Sequence, residues 1–121
     1  MAIDVSALQT IKGGKYNASG SADFIAAFFE AFYRICQDLM SDKVGLTITT
    51  IPTLANAADL DIDDIYYNVV SDGLDYYIQN AGLWGKDEDR KLESLYERRL
   101  GEAHTEYLKD TTHYTRMQKS P

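Results

Sequence analysis

From Phe24 to Met40 the chain places large apolar side chains at spacings of three and four, and this stretch narrows the fold more than any other. Phe24, Ile25, Phe28, Phe29, Phe32, Ile35, Cys36, Leu39 and Met40 fall on one broad stripe, because residues three or four apart share a face of an α-helix. All four phenylalanines of the chain lie in it. Ser21 is placed to cap its start, Asp23 suits the positive end of its dipole, and Gly45 offers an exit after Lys43. Glu30, Arg34 and Asp38 interrupt the apolar run, which excludes a membrane span of roughly 20 apolar residues.

Two further helices follow the same rule. Asp63-Asp64 opens one whose stripe is Ile65, Tyr66, Val69, Val70, Leu74, Tyr77, Ile78 and Ala81, bracketed at its end by Gly82 and Gly85. Asp87-Glu88-Asp89 opens another, with Leu92, Leu95, Tyr96, Arg99, Ala103 and Tyr107 on its inner side and a salt-bridge-laced outer side. Ile3, Leu8 and Ile11 predict a short N-terminal helix that stops at Gly13-Gly14, before a polar loop through Gly20. Leu46 to Ile51 is rich in β-branched residues and ends at Pro52, which predicts one short extended segment. Having no hairpin partner, that segment must pair with a distant part of the chain, pair with another subunit, or lie solvated. Residues 52–62 read as a connecting loop. After Asp110 the apolar period stops and residues 111–121 read as an extended polar tail.

The expected fold class is therefore mainly α. It is a small antiparallel helical bundle, three long helices plus a short N-terminal one, with one short extended segment and an extended C-terminal tail. Its 121 residues suffice for one core, so residues 1–110 form the helical domain and 111–121 the tail.

Charge and cysteine usage bound the function. The net charge of -7 arises entirely in residues 1–85, which carry four Lys/Arg against eleven Asp/Glu, whereas residues 86–121 balance eight against eight. An acidic surface repels phosphate backbones, which argues against nucleic acid as a primary ligand. The single Cys36 excludes an intrachain disulfide and lies on the apolar stripe, as a buried thiol in a reducing compartment would. The Met1-Ala2-Ile3-Asp4 start lacks the features of a signal peptide, giving a cytoplasmic expectation.

Catalytic and metal motifs fail on inspection. Asp59, Asp61, Asp63 and Asp64 resemble the first half of a calcium loop, but Asp64 stands at the glycine position and Val70 at the bidentate-glutamate position. These acids are better read as capping a helix. Gly13-Gly14 and Gly20-Ser21 lack the lysine of a phosphate loop. His104 would need a carboxylate at Gly101 to make a helical ligand pair, and no nucleophile elbow is present. No enzyme activity, cofactor or metal is expected. The pairs Tyr66-Tyr67 and Tyr76-Tyr77 each put one ring on the stripe and the other about 100° around the helix. Tyr67 and Tyr76 are thus rim residues of the core or aromatic anchors for a partner.

From Thr50 to Lys109 the order of features resembles the small head–tail adaptor, or connector, proteins of tailed bacteriophages. The residues that carry this are Ile51-Pro52, the acidic Asp59-Leu60-Asp61-Ile62-Asp63-Asp64, the run Tyr66-Tyr67-Asn68-Val69-Val70-Ser71-Asp72-Gly73-Leu74-Asp75-Tyr76-Tyr77, and a charged helix from Leu92 through Leu108. The resemblance covers about half the chain, and residues 1–45 match only in being helical. It implies a structural virion protein, commonly a dodecameric ring, that docks beneath the portal protein, meets a tail or nozzle protein below, and lets DNA pass without sequence-specific binding. It implies assembly in the host cytoplasm and a final place at the head–tail interface of the virion. Partner-facing positions are then expected in two β-prone stretches, Leu46, Ile48 and Thr50 in the first, and Thr111, Thr112, His113, Tyr114, Arg116, Met117 and Lys119 in the second, together with Tyr67 and Tyr76.

Other readings stay open. One is a head-completion stopper or tail-terminator ring. Another is a client-binding helical protein, which exposed Phe28, Phe29 or Phe32 would favour, and a third is an enzyme with an unfamiliar site, which a deep pocket holding Asp72, Asp75 or His104 with perturbed ionisation would favour.

Overall fold

The computed structural model describes the backbone of residues 2–80 and 89–119, and the side chains of residues 2–80 and 91–109. Four α-helices follow one another: α1 (Val5–Lys15), α2 (Ala22–Met40), α3 (Tyr67–Asn80) and α4 (Asp89–Lys119), with a 3-10 turn at Asp64–Tyr66 leading into α3. This is the small helical bundle that the apolar periodicity predicts. Helix α3 sits at the middle of the packing, with α2 and α4 both against it.

Helix α2 supplies the centre of the core. Phe24, Phe28, Phe32, Ile35, Cys36 and Leu39 are at most 1% exposed, and they meet Val70, Leu74 and Ile78 of α3 and Tyr96, Leu100 and Ala103 of α4 in one cluster. Burial of each such large side chain is worth about 1.5–3 kcal/mol, which makes this stripe the main source of stability. Ser21 caps the helix as expected, its hydroxyl accepting from the Phe24 amide at 3.3 Å. At the other end Gly45 takes φ +95°, a left-handed conformation that turns the chain back over the helix. The amides of Gly45 and Leu46 then both reach the Leu39 carbonyl, at 3.1 and 2.8 Å.

Ends of the predicted stripes need correction. Met40 is 36%, Ile65 50% and Ile11 54% exposed. Ile65 falls in the 3-10 turn, before the helical period begins. On α1 the inward face is Val5, Leu8 and Lys12, so Ile11, one position earlier, points away. Ile3 precedes that helix, which Asp4 caps by accepting from the Ala7 amide at 2.9 Å. Ile3 instead makes an antiparallel bridge with Leu60, their amides and carbonyls exchanging bonds of 3.0 and 2.9 Å.

Two other expectations change. Residues 46–51 form no strand: the Leu46 amide is spent on the end of α2, and Ile48 is buried in the core, so the segment is irregular wall rather than an open edge. Residues 111–119, expected to be extended, continue α4 to Lys119. Once a helix is nucleated each added residue gains a hydrogen bond, so it can run on without the apolar stripe by which the sequence announces it. The 31 residues of α4 span roughly 46 Å, against about 21 Å for the 14 residues of α3.

Candidate functional site

Polar side chains gather at three places between the helices. The first joins α1 to α3. Asp75 on α3 is 6% exposed and Lys12 on α1 is 4% exposed, unusual depths for charged groups. Asp75 Oδ2 receives Lys12 Nζ and Lys15 Nζ, each at 3.0 Å, while its Oδ1 accepts from the Tyr16 hydroxyl at 2.7 Å. Lys12 also donates to Ser71 Oγ at 3.0 Å, and the Gln79 amide donates to the Tyr16 oxygen at 2.9 Å. Ser71, Asp75 and Gln79 are four residues apart, one polar line along α3 that meets the end of α1. Burial pushes the Asp75 carboxyl up, but the Tyr16 hydrogen bond and the Lys12 and Lys15 charges outweigh it and hold the group below the usual carboxylate range. Burial likewise raises the Tyr16 hydroxyl, with Asp75 adding to it, so the phenol stays protonated and donating.

The second ties α2 to both α3 and α4. Asp38 Oδ2 accepts from the Tyr77 hydroxyl at 2.6 Å and the Tyr96 hydroxyl at 2.8 Å, and Lys43 lies 3.9 Å from Oδ1. Tyr76, Tyr77 and Tyr96 pack ring on ring, with centroids 4.9 to 5.7 Å apart. Gly73 makes room for them: a Cβ there would stand 2.7 Å from Tyr96 Cε1 and 2.9 Å from Ile35 Cγ1. Desolvation first, and the Asp38 bond second, raise both the Tyr77 and Tyr96 hydroxyls, which keeps them neutral donors. The third tie is Arg99 of α4, whose Nε meets Asp72 of α3 at 2.7 Å while its Nη1 meets Glu102 at 3.0 Å.

These arrangements hold helices together. Both oxygens of Asp75 are engaged, by two cations and a phenol, and its depressed affinity for protons makes it a poor general base. It lies in the packed interface between α1 and α3. His104 Nδ1 lies 3.2 Å from the Val44 carbonyl, and Cys36 is enclosed, its thiol pushed up to about 12 by burial. Among the described residues no group of three or more His, Cys, Asp or Glu is placed to hold a metal ion. Asp63 does cap as the sequence suggests, accepting from the Ile65 amide at 3.0 Å.

The expected partner-facing residues are scattered. Thr50 is exposed, Leu46 is half-buried against the core, and Ile48 is inside it, so Ile48 is corrected from a partner contact to a core residue. Tyr67 is 37% exposed, as an outward ring should be, whereas Tyr76 is half-buried in the tyrosine cluster. Thr111, Thr112, His113, Tyr114, Arg116, Met117 and Lys119 lie on the last turns of α4, and their side chains fall outside the described set. Phe28, Phe29 and Phe32, at 0%, 8% and 0% exposure, offer no groove to a client helix. Sequence reading missed the Lys12–Asp75 and Asp38–tyrosine clusters. The available signal was a charged residue at an inward position of an otherwise apolar stripe: Lys12 in line with Leu8, and Asp38 beside Leu39. Compared with protein-family models, curated proteins and solved structures, the chain matches none.

Proposed function

We propose that this protein is a structural subunit of a phage virion, a head–tail adaptor that assembles as a ring between the portal and the tail and lines the path of the DNA. The observation that carries this reading is the last helix. At roughly 46 Å, α4 is more than twice as long as α3, on which it packs, and its outward side is charged along the described stretch. A helix that outruns its own bundle and shows a polar exterior suits a piece built to reach a neighbour. Two other features agree. Asp75 and Asp38 are occupied in tying helices together, and most of the large apolar groups of α2 are spent on the core, which leaves single exposed apolar side chains such as Leu54 and Ile65 among polar neighbours.

Sedimentation velocity of the full-length protein, alone and mixed with the portal ring of the same virus, tests this. The expected outcome is co-sedimentation that saturates at a fixed ratio of adaptor to portal. A protein that stays monomeric and ignores the portal would overturn the reading. A ring that forms but binds only tail components would move it to a stopper or tail terminator.

A further inference from the structure

Two surfaces of this chain carry complementary charge. The first is the loop from Thr53 to Asp64. It is anchored by buried Pro52 just before its start and by buried Leu60, bridged to Ile3, within it. Between these anchors residues 53–59 are all exposed. The tip is held in shape, not loose: the Thr53 and Asn56 amides and carbonyls bond reciprocally at 2.9 and 3.1 Å, and Thr53 Oγ1 accepts from the Asn56 amide at 3.0 Å. That turn presents Leu54 at 67% exposure, beside an acidic edge of Asp59, Asp61, Asp63 and Asp64, all exposed.

The second surface is the outer face of α4. At about 100° per residue, Lys91, Arg98 and Lys109 align within roughly 20° of one another, a basic line about 27 Å long. Ser94, Gly101 and Thr105 run alongside, and all six residues are exposed. By the same measure Glu102 falls on the line, about 20° from Lys91 and Lys109, and Glu106 borders it; they engage Arg99 and Lys109 at 3.0 and 4.0 Å. Beyond its chain neighbours and the backbone of its own helix, nothing lies within 4 Å of where a Cβ of Gly101 would be, so the position is open to an apolar side chain from outside.

We propose that the acidic loop of one copy docks on the basic face of α4 of the next, with Leu54 seated over the small residues around Gly101. The occupant is a second copy because the charges match: this chain carries its surplus acid in residues 1–85 and a local basic line on α4. Exposed ion pairs are individually weak, so the interface needs the desolvated Leu54 as its anchor and several charges acting together. The two surfaces differ, so the contact is head-to-tail, and repetition gives a ring where the rotation closes. This inference rests on the self-assembly in the function proposed above, and it names the surfaces that would perform it.

The test is sedimentation velocity of full-length wild type, Arg98→Glu, Asp59→Lys/Asp61→Lys, the triple combination, and Leu54→Ala, with far-UV circular dichroism to verify folding. The wild type is expected to self-associate, less so as salt is raised. Arg98→Glu and the loop double variant should each weaken self-association at least tenfold, the triple combination should recover most of it, and Leu54→Ala should weaken it without recovery. Assembly of the wild type that none of these variants alters would overturn the proposed interface while leaving the ring reading intact. Absence of self-association both alone and with the portal ring would overturn both.

Discussion

Asp75 and Asp38 are both carboxylates taken out of water between helices, and they are neutralised in opposite ways. Asp75 faces two lysines and one phenol, a charge compensated by charge. Asp38 faces two phenols at hydrogen-bond distance and only a remote lysine at 3.9 Å, a charge compensated by oriented neutral dipoles. The exposures of the two side chains explain the choice. Asp75 retains 9% of its surface and needs full countercharge, whereas Asp38 retains 19%, so water still shares the load. The first arrangement is brittle, since removing the acid strands a buried ammonium. The second degrades gradually, because each partner left behind is neutral.

Exchanging each acid for its amide would separate the two most widely. Asp75→Asn leaves Lys12 buried without countercharge and is expected to cost about 3–5 kcal/mol in urea unfolding. Next in size is Gly73→Ala, which drives a methyl into Tyr96 and Ile35 and should cost about 1–3 kcal/mol despite the better helix propensity of alanine. Asp38→Asn keeps an acceptor for the two hydroxyls, and its cost is expected at about 1–2 kcal/mol, with Tyr96→Phe in the same range. If Asp38→Asn proves as damaging as Asp75→Asn, the distinction between the two clusters is wrong.

Acid titration sharpens the same contrast. The carboxyl of Asp75 is depressed in the folded chain, so its contribution is complete above the unfolded carboxylate pKa of about 3.9 and disappears as pH falls through the lower folded value. The Asp75→Asn variant should therefore show a flatter loss of stability below about pH 4 than the wild type, followed by circular dichroism across an acid series. The smallest effect belongs to the end of α4. Deleting residues 111–121 is expected to change unfolding free energy by no more than about 0.5 kcal/mol, while weakening partner binding. An unfolded truncation product would show that these residues are part of the core.

The apolar stripes of α2 and α3 could be read directly, because burial imposes a period of 3.6 on residues that differ sharply in hydropathy. Ser21 as a cap and Cys36 as a core thiol followed from the same pattern. What escaped was polar or local. Lys12 belongs to the buried face of α1, yet its partner stands 63 residues further on, and nothing in a short window connects them. Leu46 to Ile51 has strand-like composition, but the Gly45 turn claims the Leu46 amide and the core claims Ile48. The end of α4 is set by backbone hydrogen bonding, which leaves no hydropathy signature. For the residues proposed to face a partner the difficulty is of another kind: exposure is what remains when the core has been filled, and it becomes visible only in three dimensions.

The bridge between Ile3 and Leu60 has a consequence for the order of folding. Both it and the Lys12–Asp75 pair close chain segments of nearly 60 residues or more, and the second needs α3 in place to receive α1. Helix α1, 11 residues long, is too short to persist unaided in water, so it should condense last and open first, on a nucleus made by α2, α3 and α4. Amides of α1 would then exchange with solvent through partial openings while those of α2 require global unfolding, which makes the N-terminal helix a separate, weaker cooperative unit held to the bundle by Val5, Leu8 and the lysine pairs to Asp75.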